Sequence, residues 1–378
     1  MDFTVFMYTA SLLAALLAGS SYSHWGVSEV RTYAVPPFLV ERGYSERLVT
    51  NQVVDSMRRI QVEVGSLREA SFVVDGGEVK PIGEVASYFG VLDLLRAAED
   101  MVGLKPAVLE LEITQHGESA HWRVRGDHVV RGYAVNQGDV SLKDPDALMD
   151  HLGLQVMSYV YPFDALSYHF IRDSSTNDYA VTISAASELL LDCKRYQAWV
   201  CTDDNLQSVH LLRGLAYLSS NDIDRAFEDF SAASKIGPAS ALVAAAYGDA
   251  FAGMDQPDAA RSQYERAKTL DADIGEHFHA IGKGYVVAKK YALADQRFRT
   301  AAALGADSEE FLSDWGDSLY ELGRYDQAVE KYRQAELADP ETELFADRID
   351  RASKARETGE AAPLNPKAPP VSLTPSHE

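Results

Sequence analysis

Two histidines, His277 and His279, open the search for chemistry. A zinc site needs its imidazoles on one side of a helix. A spacing of two turns them to different faces, so both read as surface histidines rather than metal ligands. Asp271 and Asp273 stand just before them and read as helix caps. His116 and His121 lie about a turn with no carboxylate or cysteine cluster to complete a site. Asp75-Gly76-Gly77 reads as a turn, because no helix N-terminus follows at once to cradle a phosphate. Nucleophile-elbow, P-loop, H-E-x-x-H and C-x-x-C patterns are absent. Cys193 and Cys201 are too few for a disulfide-rich scaffold. They either pair across a short loop or remain two thiols in helical packing. No catalytic residue, metal or cofactor is therefore expected, and the chain reads as a binding protein rather than an enzyme.

The composition points the same way. The chain has 378 residues, 46% of them hydrophobic, which leaves room for two domains with sizeable cores. Its formal net charge of −22 opposes nonspecific nucleic-acid binding, which needs a basic surface. The same charge favours cationic or mixed-charge partners.

The element that positions everything else is a repeat. Gly214, Gly248, Gly282 and Gly316 fall at intervals of 34 residues. In phase with them come Tyr217, Phe251, Tyr285 and Leu319, and then the alanines Ala226, Ala260, Ala294 and Ala328. The aromatics Phe230, Tyr264, Phe298 and Tyr332 follow, and Ala233, Ala267, Ala301 and Ala335 close each unit. A period of this length with small and aromatic residues in fixed places marks a helix–turn–helix solenoid. Glycine inside a helix costs about 1 kcal/mol against alanine. Four matched glycines are therefore expected where two helix backbones approach closely, with the aromatics filling the space between successive hairpins.

These residues resemble tetratricopeptide (TPR) repeats, most closely in the last unit, where Trp315, Gly316, Gly323, Tyr325, Ala328, Tyr332, Ala335 and Pro340 occupy the family's positions. The resemblance covers about a third of the chain. It implies an α-α superhelix whose concave face binds a protein or peptide. It also assigns the first helix of each repeat to that face, which sets Asp249, Glu276, His279, Lys283, Glu310, Asp317, Tyr320 and Glu321 inward. With one lysine against several acids, the expected ligand is basic or mixed-charge, and Tyr320 is expected to stack on a cationic stem. The competing reading is that these acids merely solvate the surface.

The rest of the chain divides around the array of 204–340. Residues 3–23 carry no charge over a length that can span a bilayer, with Trp25 just beyond. They read as a transmembrane or signal-anchor helix, with a cleaved signal peptide or a core helix as the other readings. Arg31 and Arg42 behind the segment favour a cytoplasmic C-terminal side, whereas bacterial chains of this arrangement usually hold the repeat arm outside the inner membrane. The expected location is periplasmic, with the cytoplasmic side left open.

Residues 30–150 read as a small α/β domain. Val30–Val35 and Phe72–Val74 are expected strands. A helix capped by Ser45 is expected to bury Leu48, Val49, Val53, Met57 and Ile60, and a second helix is expected over 82–101. The strands Val108–Gln115 and Ala120–Arg125 are expected to pair so that Ile113 faces Trp122, Leu111 faces Val124, Glu112 faces Arg123 and Glu110 faces Arg125. A third strand is expected over 129–135, and a helix over 146–157. The order of these elements resembles envelope adaptor domains of the POTRA type and the N-terminal domain of TolB-like proteins, without a shared motif residue. Residues 158–203 read as a degenerate helical hairpin or cap of the array, 341–358 as a closing helix opened by Asp339-Pro340, and 361–378 as a disordered proline-rich tail. Two functions remain in view. One is a membrane-anchored scaffold that recruits a partner through the repeat array. The other is a ligand-sensing or regulatory module.

Overall fold

A computed structural model describes residues 28–64, 72–74, 107–117, 119–141, 144–287, 289–338 and 344–358. The segment 3–23, the turn at Asp75, the helix expected over 82–101, Asp339-Pro340 and the tail lie outside these residues. Among the described residues no helix is long and apolar enough to cross a membrane. The chain forms two compact units. Of the described residues, those up to Asp173 and Ala180–Leu212 make the first, and Ser174–Tyr179 with those from Arg213 onward make the second.

The first unit is built on a five-stranded sheet of β1 (Ser28–Ala34), β2 (Phe72–Val74), β3 (Ala107–His116), β4 (Ser119–His128) and β5 (Gly132–Ser141), in the order β2-β1-β3-β4-β5. β1 runs parallel to β2 and β3, and the rest is an antiparallel meander. The β3–β4 register is the expected one at all four pairs, from Ile113 opposite Trp122 to Glu110 opposite Arg125. Apolar alternation fixes that register, since a one-residue slip would put Leu109, Leu111 and Ile113 in water. On the other face Arg123 and Arg125 reach Glu112 at 3.5 and 3.1 Å.

After the short helix α1 (Pro37–Val40), α2 (Glu46–Glu63) starts where Ser45 Oγ accepts from Leu48 N at 3.2 Å. It buries Val49, Val53, Met57 and Ile60 against the sheet, but Leu48 points outward. α3 (Pro145–Val160) crosses α2 closely enough that a Cβ on Gly153 would lie 2.6 Å from Ser56 Oγ. The third strand begins at Gly132, later than expected. His128 Nδ1 accepts from Val130 N at 3.0 Å and Arg131 N at 3.3 Å, and this side chain holds residues 129–131 in a turn.

α4 (Pro162–Thr176) and α5 (Ala180–Tyr196) form the expected helical hairpin. Its apolar cluster takes in Val130 of the β4–β5 turn and also Val209, with Leu206 and Leu212 packed against it. Leu166, Ala186, Leu189 and Cys193 share an apolar cluster with Val130, and Arg131 Nε is bonded to Asp192. Asp173 Oδ2 accepts from both Thr182 N and Thr182 Oγ1 at 2.8 Å, pinning the turn between the helices. Cys193 and Cys201 are joined by a disulfide.

The second unit stacks hairpins in the 34-residue frame: the end of α6 (Asp203–Ser219) from Arg213 onward with α7 (Ile223–Ile236), α8 (Ala241–Gly253) with α9 (Pro257–Leu270), α10 (Ile274–Val287) with α11 (Tyr291–Ala303), and α12 (Glu309–Glu321) with α13 (Tyr325–Ala338). α14 (Leu344–Thr358) closes the stack by burying Phe345, Ala352 and Ala355.

Candidate functional site

The four phased glycines are explained by rings, not by backbone meeting backbone. A Cβ on Gly214, Gly248, Gly282 or Gly316 would lie 2.5, 2.4, 2.4 or 2.5 Å from Cε1 of Phe230, Tyr264, Phe298 or Tyr332 respectively. Each aromatic therefore lies flat on the first helix of its own hairpin, and the alanines of the second helix let it come that close. Positions just before the glycine and the ring also face each other. Arg213 grips Asp229 with two bonds of 2.8 Å, and Lys331 Nζ sits 3.8 Å above the Trp315 ring.

Where the ring is a tyrosine, its hydroxyl needs an acceptor. Tyr264 OH donates to Asp249 Oδ1 at 2.9 Å, and Tyr332 OH to Asp317 Oδ1 at 2.8 Å. In the two repeats with phenylalanine, the residue after the glycine is Leu215 or Lys283 instead. The pairing is visible in the aligned repeats, since aspartate follows the glycine only where tyrosine supplies the ring.

These contacts remove several expected groove residues from the surface. Asp249 also accepts from Thr300 Oγ1 at 2.9 Å and lies 3.8 Å from Arg297, and its burial pushes the carboxyl pKa upward. Asp317 takes a second bond of 2.8 Å from Arg348 of α14, and burial raises its pKa to about 6. Tyr320 is only 2% exposed and packs edge-on against Tyr325 at 5.4 Å, so its ring is not free to stack on a ligand.

His279 was expected on the surface and is 4% exposed, sandwiched between Phe298 and Phe311. Its Nε2 lies 2.9 Å from Asp314 Oδ2 and its Nδ1 3.3 Å from Glu276 Oε2. Burial pulls its pKa down, but hydrogen bonds to the two carboxylates outweigh burial and leave it raised. His277 is on the other face, exposed, 3.2 Å from Asp271. Lys283 is bonded to Glu310 and lies 3.9 Å from Asp314. Asp314 and Arg348, which bridge successive first helices, were not singled out from sequence, because their value comes from the offset between repeats. The exposed residues of the first helices include Leu242, Glu276, Glu310 and Glu321. Three of them, Leu242, Glu276 and Glu310, occupy one position of the frame.

The first unit holds a cavity of about 180 Å³ lined by His128, Arg131, Tyr159, Leu166, His169 and Asp192 among others. Burial drives both histidines down to about 4, with Arg131 acting on His128 and Arg172 on His169, so both imidazoles are neutral at pH 7. His169 Nδ1 is buried without a hydrogen-bond partner among the described residues. Among those residues no group of three or more His, Cys, Asp or Glu can hold a metal ion.

No family model and no curated protein matches the sequence. Among solved structures, PilF of Pseudomonas aeruginosa aligns at 22% identity over 41% of this chain and 71% of its own, with a TM-score of 0.25. YrrB, described as a TPR protein with an unusual peptide-binding site, aligns at 18% over 39% and 77%, with a TM-score of 0.22. The MamA protein aligns at 16% over 54% and 98%, with a TM-score of 0.27. It is the 34-residue frame and its ring-over-glycine contacts, rather than overall superposition, that identify the repeat.

Proposed function

We propose that the chain is a TPR protein, its second unit an array of tetratricopeptide repeats, and that it acts as a scaffold that recruits a partner protein or peptide through the first helices of that array. The observation that carries this is the in-frame row of Leu242, Glu276 and Glu310, three exposed side chains at one position of successive repeats. Leu242 makes one end of the row apolar, Glu276 and Glu310 make the other acidic, and Glu321 stands exposed at the far end of α12. Carboxylates gathered on one wall attract a cationic segment. The partner is accordingly a basic or mixed-charge protein face or peptide. The uncharged segment 3–23 supports a membrane anchor for the scaffold, with the repeats on the periplasmic side.

Cross-linked capture from cell extract tests the scaffold. Glu310→Lys with Glu321→Lys should weaken capture by about tenfold, since both side chains are exposed, and an unchanged helix signal should show that losing the Glu310–Lys283 pair leaves the array folded. Capture unchanged by the double substitution, or insensitive to added salt, would place the partner elsewhere. A second reading, ligand sensing by the first unit, is favoured by the cavity beside His169. Thermal stabilisation of the whole chain by a small molecule, lost in His169→Phe, would support it.

A further inference from the structure

Successive repeats do not all meet in the same way. Between the first and second, Phe227 of α7 packs on Tyr247 and Phe251 of α8, with ring centroids 5.4 and 5.1 Å apart. Between the third and fourth, Trp315 Nε1 donates to Asp295 Oδ1 at 2.9 Å, and Ser318 Oγ donates to Tyr291 O at 2.9 Å. Between the second and third, the place of Phe227 and Asp295 is taken by Arg261, which is exposed. The facing side of α10 is bare as well. His277, Ala280, Ile281 and Gly284 are all exposed, whereas their frame equivalents Val243, Ala246 and Ala250 in α8, and Phe311, Trp315 and Ser318 in α12, are buried. Ile281 is 43% and Val287 82% exposed. A cavity of about 360 Å³ lies along α9, lined by Ala252, Ala260, Arg261, Tyr264 and Ala303. The second repeat is instead tied to the third by Asp249, through Thr300 and Arg297 of α11.

The frame also shows what a closed junction would lack. In the third and fourth repeats the residue after the glycine meets an opposite charge on the next first helix or its counterpart, whereas in the first repeat it is the apolar Leu215. Lys283 meets Asp314 and Glu310, and Asp317 meets Arg348. For Asp249 the equivalent positions are Ala280 and Glu276, so closure would set two carboxylates together with no cation from α10; the Arg297 guanidinium, 3.8 Å from Asp249, comes from α11 instead.

We propose that the junction of the second and third repeats is a joint, held open because α10 brings no cation to Asp249 and closed when a lysine or arginine of the bound partner enters beside Asp249 and Glu276. This rests on the scaffold reading and names the feature of the partner that the array senses. On closing, α9 covers the bare side of α10, Arg261 comes over Tyr285 and Ile281, and the ligand cation takes the place that Arg348 has beside Asp317. The partner that fits is a segment with a basic side chain flanked by apolar ones.

The test uses the full chain, spin-labelled at Asp258→Cys and Gln296→Cys, two exposed positions on either side of the joint; the two native cysteines are bonded to each other. Ala280→Arg supplies the cation in cis and should add a shorter label-to-label distance without any ligand. A fluorescent nonapeptide alternating leucine and arginine should produce the same shorter distance in the unmodified chain, and its citrulline counterpart should not. Ala280→Arg should weaken that peptide about tenfold, far more than a change of one charge in −22 would by general attraction. Distances unmoved by both Ala280→Arg and the arginine peptide would overturn the joint, as would equal movement with citrulline. If the peptide binds, and Glu310→Lys with Glu321→Lys weakens it while distances stay fixed, the joint fails and the scaffold surface stands. If no peptide binds, the scaffold reading fails, and Ala280→Arg alone decides the joint.

Discussion

Two glycines of α10, two residues apart, should respond to the same substitution with opposite signs. Replacing a helical glycine by alanine ordinarily gains about 1 kcal/mol, because the unfolded chain loses freedom and the helix gains propensity. At Gly284 a Cβ meets nothing within 4 Å, so Gly284→Ala should stabilise the repeat unit by roughly that amount. At Gly282 the Cβ would stand 2.4, 2.6 and 3.0 Å from Cε1, Cδ1 and Cζ of Phe298. That ring is fully buried among Phe311 and His279 and has nowhere to go. Overpacking of a tight core costs about 1–3 kcal/mol, and three clashing ring atoms set this case at the upper part of the range. After the propensity gain, Gly282→Ala should lose about 1–2 kcal/mol, a swing of roughly 2–3 kcal/mol between the neighbours. Urea unfolding of the full chain, followed by the helix signal at unchanged slope, measures both. Gly253→Ala, also in open space, is a second control. Phe298→Leu should cost less in the Gly282→Ala background than alone, since the smaller side chain relieves the clash. If Gly282→Ala stabilises, or the two substitutions behave alike, the ring-over-glycine account of the frame is wrong.

Two further measurements bear on the fold. The raised pKa of His279 means that folding takes up a proton there, so its stabilisation is complete below the ordinary histidine pKa near 6.5 and is lost as pH rises above it. His279→Gln should flatten that fall in stability on the alkaline side of 6.5, and an unchanged pH profile would show that the Asp314 and Glu276 contacts do not hold the imidazolium. Reducing the Cys193–Cys201 disulfide should cost about 2.5 kcal/mol by the loop-entropy relation for so short a loop, seen as a lowered unfolding midpoint of the first unit, and thiol alkylation without reductant should label neither cysteine.

What could be read from sequence follows from how local each constraint is. The β3–β4 register was legible because apolar and charged residues alternate with a period of two on both strands, and only one pairing puts Leu111 on Val124 and Glu110 on Arg125. The 34-residue glycines were legible as a row, but their cause was not, because the ring that fills each gap lies sixteen residues on and looks like inter-hairpin filler until the helices are folded. His279 was misplaced for a related reason. Its burial is set by Phe311 and Asp314 of the next repeat, and a spacing of two along one helix says nothing about that neighbour. The hairpin of α4 and α5 has the helical texture of the array, yet Arg131 and Val130 draw it to the sheet. Those attachments depend on a turn shaped by the His128 side chain rather than on any periodicity.

The alternation of rings across the array has a practical consequence for anyone who would cut and rejoin it. The repeats carry phenylalanine, tyrosine, phenylalanine and tyrosine in turn, and each tyrosine brings its own aspartate on the helix before it. First and second helices are therefore not freely interchangeable parts. A graft that joins α10 to α13 would leave the Tyr332 hydroxyl facing Lys283 in place of Asp317, a buried donor without an acceptor. A graft that joins α8 to α13 would keep the match, with Asp249 standing in for Asp317. Lengthening or shortening the array is least costly by whole hairpins, and chimaeras cut between hairpins should fold where a cut inside one can strand a hydroxyl.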